Sequence, residues 1–192
     1  MKPKTIICAA LLLFLSLCTI PTLAATPRGN WALDPQRSRV GFVVTKLGYA
    51  DVEGRFTRFT GNVVFDPTHP ERSSIRWRVK VASVKTGETG RDRSLQGPDF
   101  FDSARHPELA FQSEQVHALA GGRLEVSGRI TIKGRTRPLT IVASPAAGGA
   151  GFEARFALNR TEFDVRGGGI MGKLIGRQVR IHLVAVPGGE TR

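Results

Sequence analysis

Residues 74–81 read SIRWRVKV. In an extended chain Ile75, Trp77, Val79 and Val81 fall on one side and Arg76, Arg78 and Lys80 on the other, because successive side chains of a strand point to opposite faces. A helix, at about 3.6 residues per turn, would scatter the same residues around its axis, so the period of two predicts a half-buried strand. The pattern recurs on both sides. RLEVSGRITI (123–132) alternates through Leu124, Val126, Ile130 and Ile132, GFEARFAL (151–158) through Phe152, Ala154, Phe156 and Leu158, and QVRIHLVAV (178–186) through Val179, Ile181, Leu183 and Ala185. Upstream, RVGFVVTKL (39–47) alternates through Val40, Phe42 and Val44. In RFTRFTGNVVF (55–65) the apolar face switches between Phe56 and Phe59, which predicts a bulge or bend. With ELAFQSEQV (108–116) and a strand beginning near Leu139, the count is eight or nine.

Turn signals separate these runs: DPTHP at 66–70, AGG at 120–122, KGRTR at 133–137 and PAAGGAG at 145–151. One-sided strands with connections too short for crossovers predict an all-β, mainly antiparallel sandwich or barrel. Around eight strands, a barrel interior is filled by side chains or holds one slender ligand. The inward set is Phe, Trp, Val, Ile and Leu, so a cavity here suits an apolar guest.

The first residues, MKPKTIICAALLLFLSLCTIPTLAA, have the three parts of an export signal: Lys2 and Lys4, an apolar run from Ile6 to Leu17, and small residues after it. Cleavage after Ala24 fits best and assigns 1–24 to a signal peptide and 25–192 to one domain. The run is shorter than the ~20 residues of a comfortable membrane span. A lipid-modified Cys18 is an alternative, opposed by the bulky Leu17 before it. Both cysteines, Cys8 and Cys18, lie in this leader, so the exported chain has no disulfide, cysteine nucleophile or thiolate metal site.

The chain has 28 basic and 16 acidic residues, and without Lys2 and Lys4 it keeps a formal charge of +10. Such a charge attracts anionic lipid or nucleic acid. It is spread over strands and loops, however, as Arg76, Arg78 and Lys80 illustrate, and reads mainly as a solvated face. Transient contact with an anionic membrane is the partner it admits. Export argues against nucleic acid.

Two segments break the hairpin rhythm. GRDRSLQGPDFFDSARHPELAF (90–111) crowds acids, arginines and a histidine around Phe100 and Phe101, and the spacing with Leu95 predicts short helical turns over a sheet. RTEFDVRGGGIMGKLIG (160–176) is glycine-rich and reads as a mobile loop. Its GGGIMGKL approaches a phosphate loop, but Leu174 stands where magnesium needs a hydroxyl, and a strand follows where a helix is required. His69, His106, His117 and His182 have no metal-ligand spacing, there is no nucleophile elbow, and the sequon at Asn159 is weak evidence.

In order, WALDPQRSRVGFVV, GRFTRFTGNVVFDP, GRDRSLQGPDFF with HPELAFQS, LEVSGRITIKGRTRPL and NRTEFDV resemble the YceI-like family of periplasmic polyisoprenoid-binding proteins, over roughly residues 30 to 187. The resemblance implies an antiparallel eight-stranded lipocalin-like barrel with a short helical lid segment, holding an isoprenoid chain such as a quinone tail. It carries family motifs onto Arg91 and Asp92, onto Asp99, Phe100 and Phe101, and onto Asn159 and Arg160. The family often has His-Ser where this chain has Arg37 and Ser38, a glycine where Asp164 stands and an acidic residue near Arg177, so the chain departs at Arg37, at Asp164 and near Arg177.

On this reading the protein is a periplasmic carrier or sequestering protein and not an enzyme, with no cofactor or metal besides its lipid ligand. Self-association into a homodimer is open. The ligand-binding residues expected are Phe42, Val44, Phe56, Trp77, Val79, Arg91, Asp92, Phe100, Phe101, Phe111, Ile130, Ile132, Phe156, Arg160 and Phe163. Asp92 and Asp99 are expected to cap helical turns, with Phe100 and Phe101 plugging the barrel end. Two rivals remain: a lipid-modifying enzyme drawing on Arg91, Asp92 or Arg160, and a basic envelope-associated stress or interaction module with a packed barrel.

Overall fold

The structure is a computed structural model that describes residues 28–147 and 149–190. The expected leader, its cleavage site and both cysteines lie outside the described residues. Twelve strands form: β1 (Gly29–Leu33), β2 (Arg39–Lys46), β3 (Ala50–Phe56), β4 (Phe59–Phe65), β5 (Ser74–Lys80), β6 (Val84–Lys85), β7 (Glu108–Ala118), β8 (Leu124–Ile132), β9 (Arg135–Pro145), β10 (Phe152–Asn159), β11 (Ile175–Ala185) and β12 (Pro187–Glu190). Two helices accompany them, α1 (Thr89–Gln96) and α2 (Gly169–Lys173). The strands make one antiparallel sheet in the order β12-β1-β4-β5-β7-β8-β9-β10-β11-β2-β3-β6.

Twelve strands appear where eight or nine were expected because long strands are interrupted at matched places. Phe56 and Phe59, three residues apart, are both buried, which a straight strand cannot achieve, and β3 gives way to β4 between them. The neighbouring chain bends beside it: Val81 and Val84 are both fully buried, with a 3₁₀ turn at Val81–Ser83 between β5 and β6. The two bends are stitched together. Thr57 N donates to Ser83 O (3.2 Å), Lys80 N to Arg58 O (2.9 Å) and Arg58 N to Ser83 Oγ (3.0 Å). A second pair of breaks separates β1 from β2 and β11 from β12. Here Asp34 N donates to Val186 O (2.9 Å), and buried Ser38 exchanges hydrogen bonds with Val186 at 3.0 and 3.2 Å. Ser38 therefore closes a seam of the sheet.

The alternation read from SIRWRVKV holds: Trp77 and Val79 are buried while Arg76, Arg78 and Lys80 are exposed. Trp77 stacks on Phe59 with ring centroids 5.7 Å apart, and Phe65 meets Phe152 edge-on at 5.2 Å. At the KGRTR turn, Lys133 (φ 49°) and Gly134 (φ 70°) join β8 to β9 through a two-residue loop whose two positive φ values match the twist of a hairpin.

Gly128 marks a close approach between two strand backbones. The register of β7 slips between Ser113 and Gln115, and a Cβ on Gly128 of β8 would lie 2.2 Å from Gln112 O. Gly128→Ala must spread these strands and is expected to destabilise the protein by about 1–3 kcal/mol. Gly90→Ala in α1, where the nearest outside atom is 3.6 Å away, is expected to gain about 0.5–1 kcal/mol. Urea unfolding midpoints of the two variants check the contrast.

Candidate functional site

Inside the curl of the sheet two apolar cavities adjoin. The deep one holds about 150 Å³ and is walled by Trp31, Phe65, Trp77, Phe111, Phe152 and aliphatic residues of β8–β11. The outer one holds about 440 Å³ and lies under α1, between β2, β3 and β11 and the segment 160–175. Phe42, Phe56, Leu109, Ile132, Leu158 and Ile181 belong to the walls of both. Phe42 and Phe56 sit 5.7 Å apart at this girdle, and Phe101 meets Phe56 edge-on at 5.9 Å.

The expected site residues divide between the two. Trp77, Val79, Phe111, Ile130 and Phe156 wall the deep cavity only, and Val44, Arg91, Phe100, Phe101, Arg160 and Phe163 the outer chamber only. Asp92 walls neither. It faces the outer groove between β6 and α1. Leu95, Leu109, Val165, Val179 and Ile181 line the outer chamber and were not expected. For Val179 and Ile181 the alternation of QVRIHLVAV carried the signal; Leu95 and Val165 lie in segments without a period of two.

The lid is α1 and the turns to His106. Glu88 stands at the N-cap of α1 without a side-chain cap, and Asp92 lies inside the first turn, so its expected capping role is corrected. Instead Asp92 ties α1 to the end of β6: Oδ1 accepts from Thr86 N (2.8 Å) and Thr86 Oγ1 (2.7 Å), with Lys85 Nζ 3.7 Å from Oδ2. The Thr86 hydroxyl, then the Thr86 amide, Lys85 and Arg91, hold the Asp92 carboxyl below the usual aspartate range against the effect of burial. Arg91 joins the same knot, donating from Nε to Thr86 Oγ1 (2.8 Å) and from Nη2 to Thr86 O (2.7 Å), with Glu88 at 3.0 Å. Asp99 likewise works through its backbone: its carbonyl accepts from Arg166 N (3.2 Å) and Gly167 N (2.8 Å), fastening the lid to the glycine-rich segment. Lys133 Nζ adds a strap, donating to Pro98 O (2.7 Å) and Asp164 O (2.9 Å).

The glycine-rich segment, expected as a loop, contains a 3₁₀ turn at Arg160–Phe163 and α2. Arg160 organises it. Nε donates to Gly176 O (2.8 Å), Nη1 to Val165 O and Arg166 O (both 2.6 Å), and Nη2 to Gly172 O (2.9 Å) and Ile175 O (2.7 Å). A guanidinium has five N–H groups, and all five are taken up by backbone carbonyls. Arg160 therefore anchors the wall of the chamber that it lines. Burial, then the Arg177 charge, lowers its pKa. Asn159 caps the 3₁₀ turn, accepting from Thr161 N (3.2 Å) and Thr161 Oγ1 (2.8 Å). Asp164 has φ 59°, a left-handed conformation that aspartate tolerates better than most residues. Arg166 holds its carboxylate at 2.7 Å.

Among the described residues no group of three or more His, Cys, Asp or Glu is placed to hold a metal. The arrangement is a mainly apolar chamber whose Arg91 and Arg160 are bonded to Thr86, Glu88 and backbone carbonyls, suited to enclosing hydrocarbon.

Arg160→Lys keeps a charge but cannot reach five carbonyls, and is expected to cost about 3 kcal/mol in urea unfolding. For Asp92 the sign follows from its depressed pKa: its contribution is present above the ordinary aspartate pKa and is lost as pH falls through the folded value. Protection of the Thr86 amide, its exchange relative to the intrinsic rate at the same pH, is expected to fall on acidification in the wild type. In Asp92→Asn the protection is expected to be low at every pH, because the amide that replaces the carboxylate accepts more weakly.

The model of the YceI-like domain matches residues 31–186. A UPF0312 protein of Pseudomonas savastanoi pv. phaseolicola is 33% identical over 142 residues, 70% of this chain and 74% of its own length. One from Vibrio parahaemolyticus is 30% identical over 155 residues, 77% and 80% of the two chains. Among solved structures, Burkholderia cenocepacia BcnA superposes with a TM-score of 0.73 at 29% identity, covering 80% of this chain and 99% of its own. A polyisoprenoid binding domain from Saccharophagus degradans, implicated in plant cell wall breakdown, shares the fold with a TM-score of 0.60 at 14% identity over 82% and 98%. With the curled antiparallel sheet, the RD and NR pairs and the FF pair in place, this chain belongs to the YceI-like family.

Proposed function

We propose that the protein binds a polyisoprenoid lipid, as a quinone tail or related chain, in the paired apolar cavities, and carries or sequesters it in the periplasm after export. The twelve strands read as eight long ones of a lipocalin-like barrel, since β1–β2, β3–β4, β5–β6 and β11–β12 each run on across their breaks while β11 pairs with β2. The observation that carries the reading is the 440 Å³ chamber under α1, which shares the Phe42 and Phe56 walls with a second apolar cavity. Its size lies in the range of ~300–1,000 Å³ typical of ligand pockets. Each buried CH₂ contributes roughly 0.8 kcal/mol, so one isoprene unit contributes about 3–4 kcal/mol before ordering costs. A few units bind without a strong polar contact.

The enzyme reading loses support because its three polar candidates are engaged elsewhere: Arg160 with five carbonyls, and Arg91 and Asp92 with Thr86. The packed-barrel reading draws on the deep cavity, whose 150 Å³ leaves little free space between its aromatic walls. It does not account for the outer chamber.

Neighbouring residues of β2 test the proposal. Val44 lines the chamber and Val43 the outer groove. Val44→Glu is expected to weaken binding of a fluorescent or natural isoprenoid quinone at least tenfold, because an unpaired carboxylate on an apolar wall is heavily penalised. Val44→Trp is expected to weaken it by filling the space, and Val43→Glu to leave it within about twofold. Circular dichroism verifies the fold of each. Equal losses at the two positions, or an organic extract of native protein devoid of isoprenoid by mass spectrometry, would refute the assignment.

A further inference from the structure

Five large apolar side chains stand exposed among the described residues, and four of them belong to two segments joined by a backbone hydrogen bond. Leu47 (46%) and Tyr49 (80%) come from the β2–β3 turn, and Ile170 (77%) and Leu174 (37%) from α2 and its end. Leu47 N donates to Leu174 O at 2.8 Å, joining the two loops, while Ile170 and Leu174 are one helical turn apart. Leu47 also holds φ 57°, a costly conformation for leucine, so a bulky apolar group is presented where Gly or Asn would sit more easily. The patch adjoins the chamber: Lys46 and Ile175, flanking Leu47 and Leu174 in sequence, line it.

The charged residues of 46–49 and 167–177 are all basic, and the Asp99 carboxylate lies close to Gly168. Lys46, Lys173 and Arg177 have no carboxylate within 4 Å among the described residues, whereas the nearby acids Asp51 and Asp164 are paired with Arg180 and Arg166. We infer that these two loops dock the chamber mouth on an anionic lipid bilayer, with Leu47, Tyr49, Ile170 and Leu174 entering the headgroup layer and Lys173 and Arg177 meeting the lipid phosphates. Apolar insertion combined with basic residues is the chemistry of reversible attachment to anionic membranes. A second protein of this chain's own charge is repelled from such a rim. The docking stands on exposure and charge, and only its purpose, passage of lipid between membrane and chamber, rests on the carrier reading.

Co-sedimentation of the protein with phosphatidylglycerol–phosphatidylethanolamine vesicles, against phosphatidylcholine vesicles, tests this. Binding is expected on the anionic vesicles and is expected to weaken in high salt. The variant carrying Leu47→Asn and Ile170→Ser, in which asparagine suits the left-handed turn, is expected to bind about tenfold more weakly, and the variant with Lys173→Glu and Arg177→Glu at least fivefold. Val142→Ser, which removes the fifth exposed side chain (41%) on β9, is expected to bind as the wild type. Uptake of a soluble short-chain quinone, measured without vesicles, is expected to be equal in all four proteins. Failure of the wild type to sediment with anionic vesicles overturns the inference, as does unchanged binding by the Leu47→Asn, Ile170→Ser variant. So does analytical ultracentrifugation showing that this variant separates a dimer, which assigns the patch to a second copy. A wild type that docks but takes up no quinone leaves the docking standing and removes the carrier reading instead.

Discussion

Burying Phe56 and Phe59 on the same side of one chain is the constraint from which the molecule's shape follows. Side chains three apart on a straight strand face opposite ways, so the chain must break at Thr57–Arg58, and its partner must break beside it at Val81–Ser83 or leave amides unpaired. Ser83 makes the paired bend affordable: buried, it accepts from Arg58 N and donates to Lys80 O at 2.7 Å. The sheet turns at this corner, and Phe56 ends up at the girdle between the cavities, touching both Phe42 and Phe101. Curl, cavity and lid contact are thus consequences of one pair of aromatic residues.

The opposite wall is built by a different device. Between residues 165 and 176 the chain has too few apolar side chains and too many glycines to hold itself by packing. Arg160 replaces the missing ladder, collecting five carbonyls that would otherwise lie half-buried without donors. Lys133 repeats the tactic on a smaller scale, joining Pro98 and Asp164. Both cations work as backbone anchors, so the charges of Arg160 and Lys133 are engaged by the wall and not directed at the apolar chamber.

How much of this was legible follows from the range of the interactions. The strands were readable because alternation is local, and the corner at Phe56 and Phe59 was readable as a fault in that alternation. The partners of Arg160 were not, since they are carbonyls up to 16 residues downstream and carry no side-chain signature. Asp92 shows the same limit from the other side. Its place at the start of a helix suggested a cap, but its true partner, Thr86, precedes the helix, and the bond fixes where the helix sits. The inward direction of Trp77 was correct. That its cavity is narrow depends on Phe59 stacking upon it from the adjacent strand, a contact no single stretch of sequence displays.

The two cavities differ in what they can do energetically. A dry apolar void of about 150 Å³ has room for a benzene-sized group and no more, so a long chain reaching the deep cavity must displace Trp77, Phe111 or Phe152 from their contacts. Such overpacking costs about 1–3 kcal/mol, comparable with the gain from one isoprene unit. The outer chamber requires no such displacement. Its lid is fastened by bonds to Thr86, Asp99 O and Pro98 O, each a small number of hydrogen bonds at an exposed edge and each able to open without breaking the sheet. For the lipid proposed above, occupancy would therefore begin under α1 and extend inward only for chains long enough to offset the repacking, so that on that proposal chain length, more than headgroup, is what the two cavities discriminate.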